Sequence, residues 1–369
     1  MVLMVIDHTR AFLSDARFPP LNLSLTTIPL FFTRWITHFC APAFFFLAGA
    51  SAWLAAGRAS TSASRHLLLR GLLLVGLELT LIRAAFMFNV NYRYTEAGVI
   101  WALGWSMVAL SVLSLLPRAY LMVVAAVMVL GHNALDRIQG ANLGAAGPLW
   151  AILHERRSLV PMDGVEFAVV YPLVPWIGVM GFGYAIAPLI QETSARSRKT
   201  LLRLGVSLVA AFVILRAANV YGDPQPWTRF PTLARTVLSF INCQKYPPSL
   251  LFLLMTLGPT LIVLAALNGT KSLGDSAVLR PVIVLGRTPL FFYLGHIVIL
   301  HIIAVVVAYA QQGDAGWLFV NPFDRVRMVG YGVALPWIYA ISAATTLVLL
   351  PACSWYSRER SSRPVLRYF

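Results

Sequence analysis

Long apolar runs, each about 20 residues in length, alternate with short polar segments along the whole chain. An α-helix of that length crosses the hydrocarbon core of a bilayer, so the pattern predicts about ten transmembrane helices. The predicted spans are 1–14, 30–56, 66–88, 98–116, 119–136, 166–189, 200–221, 246–267, 288–310 and 331–356. Gly and Pro lie inside several runs, as bilayer helices tolerate. The fold class predicted is an all-α integral membrane protein, a polytopic helical bundle.

The segments between the spans are too short to form a soluble domain, so we expect residues 1–369 to form a single transmembrane domain. The first span is short and begins at Met1, which predicts either a signal-anchor or a true N-terminus upstream. Three predicted outer loops, 137–165, 222–245 and 311–330, are rich in Gly, Pro, Trp and Asn. Loops carry function more often than scaffold does, so the outer face is the predicted working face.

Composition and charge agree with a membrane protein. The chain is 59% hydrophobic and only 12% charged, against about 25% charged residues in a soluble domain. The net charge of +15 lies mostly on the segments that are inside if both termini are inside, which predicts an N-in, C-in topology. That one-sided distribution argues against nucleic acid as a partner. Basic clusters such as Arg196–Arg203 either orient the helices or contact anionic membrane lipids.

Ionisable side chains within the spans are candidates for function, because burying them in a bilayer is costly. At about 1.5 Å per residue, Arg34 and His38 lie near the outer end of the second helix, on one face. Other helices place polar groups at a similar outer depth. They include Asp7, His8, Arg10, Arg216, Asn219 and His301, with His296 deeper. This convergence predicts a site.

Each of these residues also has a structural interpretation. A membrane histidine such as His296 can serve only as a helix–helix hydrogen-bond partner, and Arg34 can extend to the outer head groups. Asp7 beside His8 can set a tautomer and raise basicity, as general-base chemistry needs. Because adjacent residues point in different directions on a helix, Asp7 can instead orient Arg34 or His38.

Aromatic residues and prolines cluster at predicted outer helix ends, around Trp105, Trp176 and Lys245. Such clusters form either an interfacial aromatic belt or a sugar-binding surface. On the inner side, Arg287 lies just before Pro289. This segment either is a simple helix start, with Pro289 in the first turn, or holds an anion such as phosphate through Arg287. The three cysteines predict neither a disulfide framework nor a metal site.

Several segments resemble one bacterial membrane family that is similar to the catalytic domain of heparan-α-glucosaminide N-acetyltransferase, within a transmembrane acyltransferase superfamily. They are Val5–Arg10, Thr33–Pro42 with Phe46–Gly49, Val99–Met107, Tyr171–Gly178, Asn219–Pro224, Lys245–Phe252 and Leu285–Tyr293. The resemblance implies a multi-pass protein of the bacterial inner membrane. It also implies transfer of an acetyl group from cytosolic acetyl-CoA to a glycan or other cell-envelope acceptor outside the membrane, without a metal, and leaves a homodimer open.

The resemblance also implies roles for particular residues. In the characterised enzyme a histidine near the start of the second helix is held to be catalytic; the matching place here falls near Ile28, and His38 is the nearest histidine. His38 is therefore the expected base or acyl carrier, assisted by Asp7, His8 and His301. The expected binding residues are Arg34, Arg216, Asn219, Lys245, Arg287, Trp105 and Trp176. The rival hypothesis is a small-molecule or lipid transporter without acyl transfer.

Overall fold

The computed structural model of the protein describes residues 1–56, 61–270, 276, 279–320 and 329–362. The described chain is mostly helical, and seven of its helices are long and apolar enough to cross a membrane. The predicted all-α polytopic membrane fold is therefore confirmed. The count of about ten spans and the N-in, C-in orientation stay predictions. Parts of the third predicted outer loop and of the basic C-terminal tail lie outside the described residues.

Most of the described α-helices follow the predicted apolar runs, but three short helices, Gly147–Leu153, Leu233–Ile241 and Arg280–Arg287, lie between those runs. The predicted span 166–189 is helical only from Leu173, because its first residues form a strand. The described α-helices are α1 (Val2–Leu13), α2 (Ile28–Ile36), α3 (Cys40–Ala56), α4 (Thr61–Leu77), α5 (Arg83–Met87), α6 (Val99–Leu113), α7 (Arg118–Gly131), α8 (Gly147–Leu153), α9 (Leu173–Gln191), α10 (Ala195–Ala218), α11 (Leu233–Ile241), α12 (Leu250–Leu267), α13 (Arg280–Arg287), α14 (Pro289–Gln312) and α15 (Leu335–Ser362). A π-helical segment, Glu78–Ile82, joins α4 to α5, and a 3₁₀ turn, Thr37–Phe39, joins α2 to α3. Further 3₁₀ turns are His132–Leu135, Gly140–Ala146 and Gly316–Phe319.

The chain divides into two compact units. The first unit contains residues 1–40, 81–92 and 271–369, and the second contains residues 41–80 and 93–270. In the first unit, α1 packs against α14 and α15. Its core uses one face of α14, where Ile297, Leu300, Ala304 and Ala308 are fully buried, at the three- and four-residue spacing of a helix.

The second unit relies on small residues where its helices cross. The helices α4 and α6 meet through Gly71 and Gly104, and a methyl group added at either glycine would lie 2.6 Å from the carbonyl oxygen of the other. Membrane helices have little hydrophobic drive to associate, because lipid is as apolar as leucine, so close backbone packing supplies the attraction. The helices α10 and α12 cross in the same way at Gly205 and Gly258.

The second unit also contains a small three-stranded sheet, which the sequence did not predict. Its strands are β1 (Tyr94–Ala97), β2 (Arg157–Met162) and β3 (Val165–Val169), in the order β1-β3-β2. The pair β1–β3 is parallel, and β2–β3 is an antiparallel hairpin. Gly164 has a φ of +74° at its turn, a conformation that glycine adopts without strain. The sheet thus brings segment 94–97 beside residues 166–169, and β3 lies between β1 and β2.

Candidate functional site

A hydrogen-bonded pair of histidines lies within the first unit. His8 of α1 and His296 of α14 are joined by a 2.7 Å contact between His8 Nδ1 and His296 Nε2, with stacked rings. His296 is fully buried, and its Nδ1 lies 2.8 Å from the Phe292 carbonyl oxygen. A carbonyl oxygen only accepts, so His296 Nδ1 carries the hydrogen. In the neutral ring, His296 Nε2 must then accept from His8 Nδ1–H, which leaves the lone pair of neutral His8 on Nε2.

Aromatic rings surround this pair of histidines. Phe86 and Tyr293 meet the His8 ring edge-on, and Phe292 stacks on His296. Such apolar walls lower the local dielectric and strengthen the hydrogen bond between the rings. The pair is therefore built to hold one imidazole, that of His8, in a fixed tautomer and orientation.

Asp7 pairs with arginines. Its Oδ1 accepts from Arg10 Nη2 at 2.9 Å and from Arg34 Nη1 at 2.6 Å. Of the two partners that the sequence left open for Asp7, the structure shows Arg34. Because Asp7 and His8 are adjacent, the Asp7–Arg34 ion pair joins α2 to α1 at the level of His8.

The other two predicted histidines of the first unit are fully buried. His38 lies in the 3₁₀ turn between α2 and α3. His301 stacks on Phe88 with ring centroids 3.9 Å apart, and its Nδ1 donates to the Ala85 carbonyl oxygen at 3.2 Å. Their predicted catalytic roles stay predictions. Arg287 ends α13 with its side chain exposed, and Pro289 opens α14 as the sequence predicted.

Two tyrosines and two cations form a cluster in the second unit. Lys245 Nζ lies 5.0 Å from the centroid of the Tyr246 ring and 6.0 Å from that of Tyr171. The Arg156 guanidinium lies 5.3 Å from the Tyr246 ring. Tyr171 in turn packs on the fully buried Trp176. Aromatic faces attract cations through the ring quadrupole and also pack against sugar rings, so this aromatic–cationic cluster can hold an anionic or sugar-like group.

Carboxylates lie close to that cluster. Glu96 of β1 interacts with the charge of Arg156. Burial raises the pKa of Glu96 to about 7, and Arg156 partly opposes this rise. Glu78, in the π-helical segment, accepts from the backbone N–H groups of Gly98 and Ile100 at the start of α6. Glu78 thus pairs with the start of another helix. π-Helical turns are frequent at functional sites.

Arg216 and Asn219 hold the loop that follows α10. The Arg216 guanidinium donates to four backbone carbonyl oxygens, those of Gln225, Ser239, Phe240 and Asn242, at 2.8–3.1 Å. Asn219 exchanges two hydrogen bonds with the backbone of Trp227. The binding roles predicted for both residues stay predictions, while the contacts seen are those of a scaffold.

The start of α12 is closed by three different segments of the second unit. The Leu250 N–H donates to Asn133 Oδ1 at 2.8 Å, the Leu251 N–H to the Gly222 carbonyl at 2.9 Å, and the Phe252 N–H to Ser249 Oγ at 3.0 Å. These contacts fix the segment that carries Lys245 and Tyr246. Trp105, the remaining predicted binding residue, lies half-buried on α6.

Within the units, the structure brings together some predicted residues and adds others. It joins Asp7 to Arg34 and sets Lys245 in one aromatic cluster with Trp176. It adds His296, which the sequence placed among the convergent polar groups without a catalytic role, and Arg156 and Glu96, which the sequence did not single out. An arginine directly before a strand and an acid within a four-residue strand gave no distinct signal among the helical patterns.

Comparison with known proteins gives one match. The family model described as Heparan-alpha-glucosaminide N-acetyltransferase, catalytic, matches residues 1–221. Comparisons with curated proteins and with solved structures found no match. The matched region contains His8, His38 and the helices from α1 to α10, and it ends before Lys245 and His296.

Proposed function

The chain belongs to the family of the heparan-alpha-glucosaminide N-acetyltransferase catalytic domain, and from this premise we propose a reaction for it. The protein moves an acetyl group from cytosolic acetyl-CoA to a sugar or other envelope acceptor on the far side of a bacterial inner membrane. Seven helices able to span a membrane support a multi-pass location. The observation that carries the chemistry is the pair of histidines in α1 and α14.

In this reaction His8 is the general base. Its Nε2 takes the proton from the acceptor amine or hydroxyl as that atom attacks the thioester carbonyl. The new carbon–nitrogen or carbon–oxygen bond forms, the carbon–sulfur bond breaks, and the proton passes to the CoA thiolate. His296 is a positioning residue, because it holds His8 Nδ1–H at 2.7 Å and so keeps Nε2 as the basic atom. His38 remains the alternative base that the sequence predicted.

The aromatic–cationic cluster of the second unit supports a sugar or anionic acceptor. Aromatic faces pack against the apolar face of a sugar ring, and Lys245 and Arg156 can pair with its acidic substituents. For the donor, the exposed Arg287 is the proposed contact of CoA phosphates.

The test uses the full chain purified in detergent. Acetyl-CoA binding is followed by calorimetry, and thiol release is followed with glucosamine as the probe acceptor. We expect His8→Ala to bind acetyl-CoA as the wild type does, but to release thiol about 10²–10⁴-fold more slowly, the usual contribution of a general base. Val2→Ala, an exposed change on α1, is the matched control and should match the wild type.

Three outcomes contradict parts of the proposal. A folded wild type that binds no acetyl-CoA sinks the acyl-transfer reaction. Glucosamine flux into proteoliposomes without any acyl donor favours the transporter instead. Full thiol release in His8→Ala, with a loss in His38→Ala, returns the base to His38.

A further inference from the structure

Three potential metal ligands converge in the second unit, outside the residues already discussed. His132 follows the end of α7, Asp136 lies one turn later, and His154 ends α8. One ligand atom from each residue lies within 4.8 Å of the other two. His154 Nε2 is 3.2 Å from Asp136 Oδ1, and the two imidazole rings meet edge-on with centroids 5.9 Å apart.

The two imidazoles are buried without enough hydrogen bonds. His132 is 1% exposed and His154 is 3% exposed. Both ring nitrogens of His132, and Nδ1 of His154, lack a hydrogen-bond partner among the described residues. A buried polar atom without a partner costs about 1–3 kcal/mol, so such a cluster calls for a ligand that uses these lone pairs.

We propose that His132, Asp136 and His154 bind a divalent transition-metal ion of the Zn²⁺ type. Two imidazoles and one carboxylate are the donors that zinc accepts, whereas Mg²⁺ and Ca²⁺ prefer oxygen alone. Tetrahedral zinc, with bonds of about 2.0–2.2 Å, needs ligand atoms about 3.3 Å apart. The three side chains therefore need to close by about 1 Å or a little more, and the fourth position is left to water.

The second shell of this site is also in place. Asn133 Nδ2 donates to Asp136 Oδ2 at 2.8 Å, which leaves Oδ1 to face the metal. Orientation of a ligating carboxylate by such an outer partner is typical of protein metal sites. The same Asn133 caps Leu250 at the start of α12 through its Oδ1.

The metal would join the segment that follows α7 to the end of α8. His132 and Asp136 come from that segment, and His154 comes from the end of α8. His154 lies two residues before Arg156, whose guanidinium contacts Tyr246. Metal binding would thus brace the wall of the aromatic–cationic cluster. The sequence expected no metal site from its cysteines; this site uses two histidines that are distant in the chain and meet only after folding.

The test measures Zn²⁺ binding to the full chain in detergent after removal of metals with a chelator. We expect saturable binding of one Zn²⁺ per chain by calorimetry, and a visible spectrum of tetrahedral type with Co²⁺. His132→Ala and His154→Ala should each weaken Zn²⁺ binding at least about 100-fold, because even an outer-shell partner often contributes 10–100-fold. The control His66→Ala removes a histidine of the same unit that does not belong to the cluster, and its Zn²⁺ affinity should equal that of the wild type.

A second measurement does not depend on whether the variants fold. Zn²⁺ should raise the melting temperature of the wild type in a concentration-dependent way, because only the folded state has the site. A cooperatively melting wild type that shows neither saturable binding nor this rise overturns the proposal. Equal Zn²⁺ affinity in the wild type and in folded His132→Ala and His154→Ala variants overturns it too. None of these results depends on acyl transfer.

Discussion

Replacing His296 tests whether the pair of histidines acts as a unit. His296→Phe keeps an aromatic ring in a fully buried position but removes the acceptor for His8 Nδ1–H. A neutral hydrogen bond contributes about 0.5–1.5 kcal/mol, and a donor left unpaired costs about 1–3 kcal/mol. Since about 1.4 kcal/mol is a factor of ten in rate, we expect kcat for thiol release to fall about 10- to 100-fold.

The expected kinetic signature separates positioning from binding. His296 orients the base and is not proposed to contact the donor, so KM for acetyl-CoA should stay close to the wild-type value while kcat falls. In His296→Gln the side-chain oxygen can still accept from His8 Nδ1–H. That variant should therefore recover most of the lost kcat.

The measurement is steady-state thiol release from acetyl-CoA with glucosamine, in detergent, with the melting temperature of each variant recorded beside it. Ile302→Phe, on the exposed face of the same helix α14, controls for adding a ring to this helix. The reasoning is refuted if His296→Phe retains full kcat, or if His296→Gln loses as much kcat as His296→Phe in equally stable proteins.

Three further predictions concern stability. Burial raises the pKa of Glu96 from 4.5 to about 7, so the folded state binds this proton more tightly than the unfolded state. The free energy of unfolding should therefore fall as the pH rises from about 4.5 to about 7. Glu96→Gln should flatten the accompanying fall in melting temperature. Arg216→Leu should lower the free energy of unfolding by about 3 kcal/mol or more, because it leaves four carbonyl oxygens without their charged donor; a loss under about 1 kcal/mol would contradict the scaffold role. Gly71→Ala should cost about 1–3 kcal/mol through its clash with the Gly104 carbonyl, whereas Gly76→Ala in the same helix meets open space and should be neutral in the same melting assay.

The helices were predictable because apolar runs of bilayer length leave few other structures open. Which of these helices pack against each other was not predictable. His8 and His296 lie in the first and ninth predicted spans, and no periodicity states that those spans touch. The sequence could therefore offer His296 as a hydrogen-bond partner without naming the partner. Asp7 shows the same limit: two partners were open, and packing chose Arg34.

The sheet was missed for a different reason. The strands β1 and β2 are short and lie in segments that separate strong helical patterns, and β3 occupies the start of the apolar run that predicted a helix over 166–189. Strand β1 pairs with β3, which is far along the chain, and such non-local pairing leaves no local signal. The proposed metal site was missed for the same reason, because its two histidines, His132 and His154, are distant in the chain and meet only after folding. The sequence thus predicted where most helices lie and which polar residues are candidates for the site, but not which residues contact each other.

The closed start of α12 has an electrostatic consequence. The first N–H groups of a helix carry the positive end of its dipole and often bind anions. At α12 the amides of Leu250, Leu251 and Phe252 are already satisfied by neutral oxygens, so this helix end does not attract a phosphate or carboxylate through its backbone. Recognition of an acidic group beside it must come from side-chain charge, that of Lys245 and Arg156. Its strength should therefore depend on ionic strength and should disappear when those two charges are removed.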